Sequence, residues 1–202
     1  MRRTKEDAAV TRDKLLDVAL SVFSENGYSA TKLEDIAKEA GVTRGAIYWH
    51  FGSKSELYIS LVQEYSDRGN TIAQQAINEG GSIREIFRRI FVRLLSSMED
   101  DRKLRAMMEI SLFKTEITLE LEAGRQTQIA SGRALIKGIS EAIRQGITSG
   151  ELRSDLDPLG VARAFIAFQN GAIHLWLFDP DSFSLKESAD MLADIFMKGI
   201  SP

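Results

Sequence analysis

Arg44-Gly45-Ala46-Ile47-Tyr48-Trp49-His50 combines residue types that read a nucleic-acid surface. Arg44 is the one side chain in the segment able to make a bidentate contact with guanine. Thr43, Tyr48 and His50 carry donors for phosphate oxygens, contacts that position a protein without reading sequence. Gly45 and Ala46 keep the first turn slim, so that a backbone can approach base edges in a major groove. Lys32 and Lys54 stand at the starts of the flanking helical segments, where the positive ends of the helix dipoles also favour phosphate.

Positioning these side chains requires two helices at a fixed crossing. Leu33, Ile36, Ala37 and Ala40 fall at helical spacing, with small Ala37 where two helices must cross closely. Gly41 supplies the turn, and Val42 and Ile47 are placed to fill the space between the helices. Thr43 caps a second helix over Arg44–Phe51, which presents Arg44, Gly45, Ala46, Tyr48, Trp49 and His50 outward and ends at Gly52. The pattern suits a helix-turn-helix. The alternative is a plain helical hairpin with Tyr48, Trp49 and Phe51 in the core.

The rest of the chain is helical punctuation. Leu15, Leu16, Ala19, Leu20 and Phe23 form an apolar face that stops at Asn26-Gly27. Capping boxes are expected at Thr31-x-x-Glu34, Ser53-x-x-Glu56, Ser82-x-x-Glu85 and Ser184-x-x-Glu187. Gly80-Gly81 breaks one long helix. Arg102–Phe113, roughly Leu119–Thr148, Pro158–Phe178 behind an Asp157 cap, and Leu185–Lys198 complete about nine helices with no strand alternation. The expected fold is all-α: a three-helix DNA-binding domain over residues 1–53 and a helical ligand-binding and dimerisation bundle over 54–202.

Composition narrows the function classes. The 202 residues carry a net charge of −3, and the first sixty hold nine basic and nine acidic side chains, so a case for DNA rests on where charges sit. No cysteine is present, which removes disulfides and thiolate metal sites. The start, Met1-Arg2-Arg3-Thr4-Lys5-Glu6-Asp7, is not a signal peptide. The most apolar window, Leu159–Phe178, contains Arg163, Gln169, Asn170 and His174, which argues against a membrane span and for a cytoplasmic protein. Two distant histidines and the lack of HExxH, GxSxG or a Gly-rich phosphate loop argue against an enzyme, and no cofactor is expected.

Thr31-Lys32-Leu33-Glu34-Asp35-Ile36-Ala37, then Ala40-Gly41-Val42-Thr43-Arg44-Gly45-Ala46-Ile47-Tyr48-Trp49-His50-Phe51 and Lys54-Ser55-Glu56-Leu57, resembles the signature of the tetracycline-repressor (TetR) family. The resemblance implies a nine-to-ten-helix homodimer that binds double-stranded operator DNA. Lys32, Thr43, Arg44, Gly45, Tyr48, His50 and Lys54 would be its DNA contacts, with Ala46 and Trp49 on the same face.

A second, scattered likeness runs to the C-terminus: Arg2-Arg3-Thr4-Lys5-Glu6 to Thr11-Arg12, Met108-Glu109-Ile110, Asn170-Gly171, and Trp176-Leu177-Phe178-Asp179-Pro180-Asp181-Ser182. It is similar to the AcrR/TtgR-type branch, which represses multidrug efflux pumps. Carried over position by position, the pocket for a small hydrophobic ligand would hold Tyr65, Ile90, Phe91, Leu94, Met108, Ser111, Leu112, Leu135, Ile139, Phe168, Asn170 and Ile173. Met108, Leu112 and Phe113 stand where relatives of this branch carry polar or histidine residues, which implies a more apolar pocket. The alternative reading for these positions is core. Asn170 is the sharpest polar candidate, and an interhelical hydrogen bond is its other reading. Gly132 and Gly138 are expected to allow close helix packing, and Trp176, Leu177 and Phe178 to pack in a homodimer through the last two helices. Two rival functions remain: a regulator of lipid or central metabolism with one metabolite ligand, and a helical scaffold without DNA affinity.

Overall fold

The computed structural model describes residues 5–116 and 118–202, so Arg2, Arg3 and Thr4 of the basic start lie outside the described residues. Nine α-helices run in order among them: α1 Lys5–Ala30, α2 Leu33–Ala40, α3 Arg44–Phe51, α4 Lys54–Asn78, α5 Ile83–Asp100, α6 Arg102–Phe113, α7 Glu122–Thr148, α8 Pro158–Phe178 and α9 Leu185–Ile200. A single 3₁₀ turn, Leu119–Leu121, precedes α7, which therefore starts three residues later than its apolar pattern suggests.

Most stops and starts follow from the residues at them. α1 breaks at Gly27, whose φ of 75° and ψ of 169° lie in a region open essentially to glycine. Gly41 ends α2 in the left-handed conformation, φ 66° and ψ 33°. Ser82 and Glu85 form a complete box: Ser82 Oγ accepts from Glu85 N at 3.2 Å, and Glu85 Oε2 from Ser82 N at 2.8 Å. Asp157 accepts from the amides of Leu159 and Gly160, with Pro158 in the first turn. Ser53 and Ser184 cap α4 and α9 by accepting from Glu56 N and Glu187 N, each at 3.0 Å.

One box is shifted. Thr31 does not cap α2. It is buried and donates its hydroxyl to Gly27 O at 2.7 Å, while Asp35, not Glu34, accepts from the amide of Lys32, the capping position. Burial of Thr31 against the broken end of α1 takes its hydroxyl away from the amides of α2.

The chain divides into two compact units, residues 1–67 with 103–126, and residues 68–102 with 127–202. In the first, Leu15, Ala19, Phe23, Ile36, Ala40, Ile47, Phe51, Leu57 and Leu61 share one core with Met107, Ile110 and Leu121. Phe23 stacks on Tyr28 within it, and Tyr58 meets both rings edge-on, with centroids 5.0–5.8 Å apart. The end of α1 is tied to the residue that follows α6, Tyr28 N donating to Lys114 O at 3.1 Å. α7 approaches α4 closely at its start, where a Cβ on Gly124 would lie 2.6 Å from Ile59.

In the second unit α5 packs along α9, and α8 lies against both. Phe87 and Phe91 of α5 meet Phe165 of α8 at 5.0 and 5.9 Å, and Phe196 of α9 meets Phe165 at 5.4 Å. Each fully buried ring of this kind contributes roughly 1.5–3 kcal/mol. Arg88 bonds Asp190 and Asp194 at the rim. A Cβ at Gly132 or Gly138 would meet nothing within 4 Å, so the close packing expected there is absent within this chain; it occurs at Gly146, where a Cβ would lie 2.8 Å from Leu152. Trp176 and Leu177 are buried in the protomer itself, at 1% and 7% exposure, rather than offered to a second copy.

Candidate functional site

The second and third helices are braced as a unit. Leu33, Ile36, Ala37 and Ala40 of α2 and Ile47 and Phe51 of α3 turn into the core of the first unit. The three-residue turn is closed by Gly41 N to Lys38 O and Val42 N to Ala37 O, and Val42 packs against the core. Thr43 Oγ1 accepts from Ala46 N at 3.3 Å. With these contacts made inward, the rest of α3 is left outside: Arg44 and Gly45 are exposed, Tyr48 is 42% and Trp49 73% exposed. Only Phe51 of the aromatic trio is core, so the hairpin alternative does not hold. His50 is half-buried, its ring against those of Trp49 and Phe51.

Arg44 is held rather than loose. Its guanidinium pairs with Glu34 of α2, donates to Tyr48 Oη at 2.7 Å, and lies over the Tyr48 ring. The Tyr48 hydrogen bond and then the Glu34 charge raise its pKa further above the ordinary arginine value. Both members of the ion pair are half-exposed, a setting in which water and salt screen such pairs and leave them weak. The pair orients Arg44 but opens at little cost when a stronger acceptor arrives.

Lys32 is exposed at the start of α2. Lys54, expected as a phosphate contact, bonds within the protein here. Its ammonium donates to the carbonyls of Tyr28, Ser29 and Thr31 at 3.0–3.4 Å and sits 4.4 Å from the centre of the Tyr28 ring. The Tyr28 hydroxyl in turn donates to Glu120 at 2.9 Å, and burial, reinforced by that carboxylate, pushes the phenol well above its usual pKa. Sequence reading missed this cluster, because nothing in the spacing of Tyr28, Lys54 and Glu120 signals that they meet.

The expected pocket residues divide between the units. Tyr65, Met108, Ser111 and Leu112 belong to the first, and Ile90, Phe91, Leu94, Leu135, Ile139, Phe168, Asn170 and Ile173 to the second. Tyr65 packs at the edge of the first core, where burial raises its pKa. Met108 is half-buried; Ser111 and Leu112 are exposed, and Ser111 Oγ lies 3.5 Å from Tyr58 Oη. In the second unit Phe91 and Phe168 meet at 5.6 Å, Ile173 is buried, and Ile90, Leu94 and Ile139 are half-buried. Leu135 is 49% exposed. Asn170 is exposed on the outer face of α8, and the buried polar residue is its neighbour Gln169. Among the described residues, no group of three or more His, Asp or Glu gathers to hold a metal ion, and no helix is long and apolar enough to cross a membrane.

A braced turn that exposes a slim cation- and aromatic-bearing helix is the DNA-reading element of a helix-turn-helix regulator. The model of the bacterial regulatory proteins of the tetR family matches residues 15–61, and that of the MAATS-type transcriptional repressor C-terminal region matches residues 84–202. The HTH-type transcriptional regulator AcrR of Shigella flexneri is 35% identical, covering 93% of this chain and 88% of AcrR. The crystal structure of NalD, the secondary repressor of the MexAB-OprM multidrug efflux pump in Pseudomonas aeruginosa, superposes with a TM-score of 0.86 at 27% identity over 98% of both chains. The triclosan complex of SmeT, a Stenotrophomonas maltophilia efflux-pump repressor, does so with a TM-score of 0.82 at 27% identity, over 96% of this chain and 92% of that one. The chain belongs to the TetR family of transcriptional regulators. Proteins of this family are regulators rather than enzymes; they bind operator DNA and small molecules and usually form dimers.

Proposed function

We propose that the chain is a cytoplasmic, dimeric repressor of a multidrug-efflux operon, released from its operator by apolar or aromatic molecules. The observation that carries the efflux assignment is the end-to-end likeness to NalD, which spans the C-terminal region as well as the DNA-binding element. In this reading residues 1–53 bind DNA. Arg44 reads a base, Lys32, Thr43, Tyr48 and His50 meet phosphates, and Gly45, Ala46 and Trp49 line the groove. Residues 54–202 bind effector and dimerise. The outer face of α8 supports dimerisation: Gly171, Leu175 and Phe178 are exposed along it beside Asn170 and His174, and Met191 and Ile195 are exposed on α9. A second copy would cover this apolar stripe by two-fold symmetry.

Release is a population shift. Operator selects dimers whose two α3 helices lie about 34–36 Å apart, one duplex turn. Effector selects another spacing, and it acts only through its different affinity for the two states. α4 begins in the first unit and ends in the second, which makes it the natural carrier of that difference.

Fluorescence anisotropy of labelled DNA from upstream of the chain's own gene tests the proposal, with and without aromatic, cationic and phenolic drugs. Saturable binding reversed by several unrelated drugs is the expected result. Binding that none reverses would leave a DNA switch with a single metabolite ligand, and loss of the efflux assignment.

A further inference from the structure

Three polar side chains are buried among the described residues: Thr31, Ser140 and Gln169. Thr31 has its partner in Gly27 O. Gln169 is 7% exposed, and its amide nitrogen is sealed from solvent with no hydrogen-bond partner. It lies on the buried face of α8 at helical spacing from Phe165, Ala172, Ile173 and Trp176, all 9% exposed or less. A primary amide carries two donors, and burying them unpaired costs as much as a lost hydrogen bond. An apolar residue would serve packing on this face better.

The residues flanking Gln169 along α8 belong to an aromatic cluster. Next to Gln169, Phe168 faces Phe91 at 5.6 Å and Phe196 at 6.0 Å, and Phe165, one turn before, faces Phe87 and Phe196. Small-molecule sites are lined mainly by apolar and aromatic side chains, with a few placed polar groups that fix orientation. We infer that Gln169 is the orienting polar contact of the effector site, its amide donating to a carbonyl, ether or phenolic oxygen on a neutral aromatic effector. The inference rests on the effector reading above. A neutral amide fixes an acceptor without the desolvation cost of a buried charge, so it selects among uncharged aromatic molecules by their acceptor.

Two probes of matched shape test it: benzophenone, whose carbonyl is an acceptor, and diphenylmethane, which has a methylene in its place. Calorimetric titration of the full-length protein should show wild type preferring benzophenone by about 3- to 10-fold, the worth of one neutral hydrogen bond. Gln169→Met, of similar length, should abolish the preference, leave diphenylmethane within about 2-fold, and unfold at the same temperature or higher. Gln169→Leu should reproduce the loss with a different shape. A preference retained in both variants would overturn the inference. So would equal loss for both probes, which marks a packing role, or a shift from dimer to monomer in sedimentation, which marks a partner-facing amide. Wild type that binds neither probe also overturns it, and the drug arm of the operator titration then tells whether the effector reading has failed with it.

Discussion

Arg44 and Glu34 illustrate how one exposed ion pair sets the behaviour of a binding surface. The carboxylate holds the guanidinium ready, yet it also competes with every phosphate or base that approaches. Arg44→Ala should cost about 1–3 kcal/mol of operator affinity and relax specificity at one base position, read by anisotropy on single-substitution operators. Glu34→Ala should do the opposite on random-sequence DNA. It removes the competitor and one negative charge, so non-specific binding tightens. Equal affinity of Glu34→Ala and wild type for random DNA at low salt would refute that account of the pair. Lys54 belongs to the same scale and a different role. With its ammonium on three carbonyls, Lys54→Met should lower the melting temperature while leaving the salt dependence of DNA binding as it is. Removing a lysine that bound phosphate would instead flatten the slope of log K against log salt by about 0.9.

Elements show which parts of this fold are legible in residue order. Helix ends were, wherever a cap acts on its own helix: Thr43, Ser82, Asp157 and Ser184 bond amides two or three residues on, and Gly41 takes the left-handed turn. Where tertiary contact competes, a cap can be displaced: Thr31 is drawn to Gly27 O, and Lys54 makes contacts with the carbonyls at the end of α1 that residue order does not signal. Asn170 and Gln169 are adjacent polar residues on an apolar helix, about 100° apart around it, and only the packing of α5 and α9 against α8 decides which is inside. The exposed aromatic face of α3 was legible because α3 is short and one side of it is fixed by Ile47 and Phe51. Gly27 gives the element-scale prediction. Its backbone conformation is one that L side chains rarely adopt, and a Cβ there would lie 3.2 Å from Lys114 O. Gly27→Ala should therefore cost about 1–3 kcal/mol in urea unfolding, by straining the break beside the bond from Tyr28 N to Lys114 O. An unchanged midpoint would mean that the break relaxes freely.

At the scale of the whole molecule, the proposed dimer and the proposed switch are one argument. Phe178, 79% exposed, and Leu175, 65% exposed, are large apolar side chains that this protomer leaves to water on one face of α8. A charge placed there should split the proposed dimer, so Phe178→Asp should sediment as a monomer at micromolar concentration where wild type sediments as a dimer. It should also lose most of its operator affinity, because each monomer then pays separately for ordering on its half-site. A Phe178→Asp protein that remains dimeric would move the interface elsewhere. The switch carries a stricter constraint. If effector weakens operator binding by some factor, operator must weaken effector binding by the same factor, whatever path joins the two sites. Titrating an effector into free protein and into the operator complex measures both sides of that equality. A tenfold release corresponds to about 1.4 kcal/mol of coupling, well within reach of one titration pair. Equal effector affinity with and without operator would show that the molecule has no effector switch, even if its DNA contacts all stand.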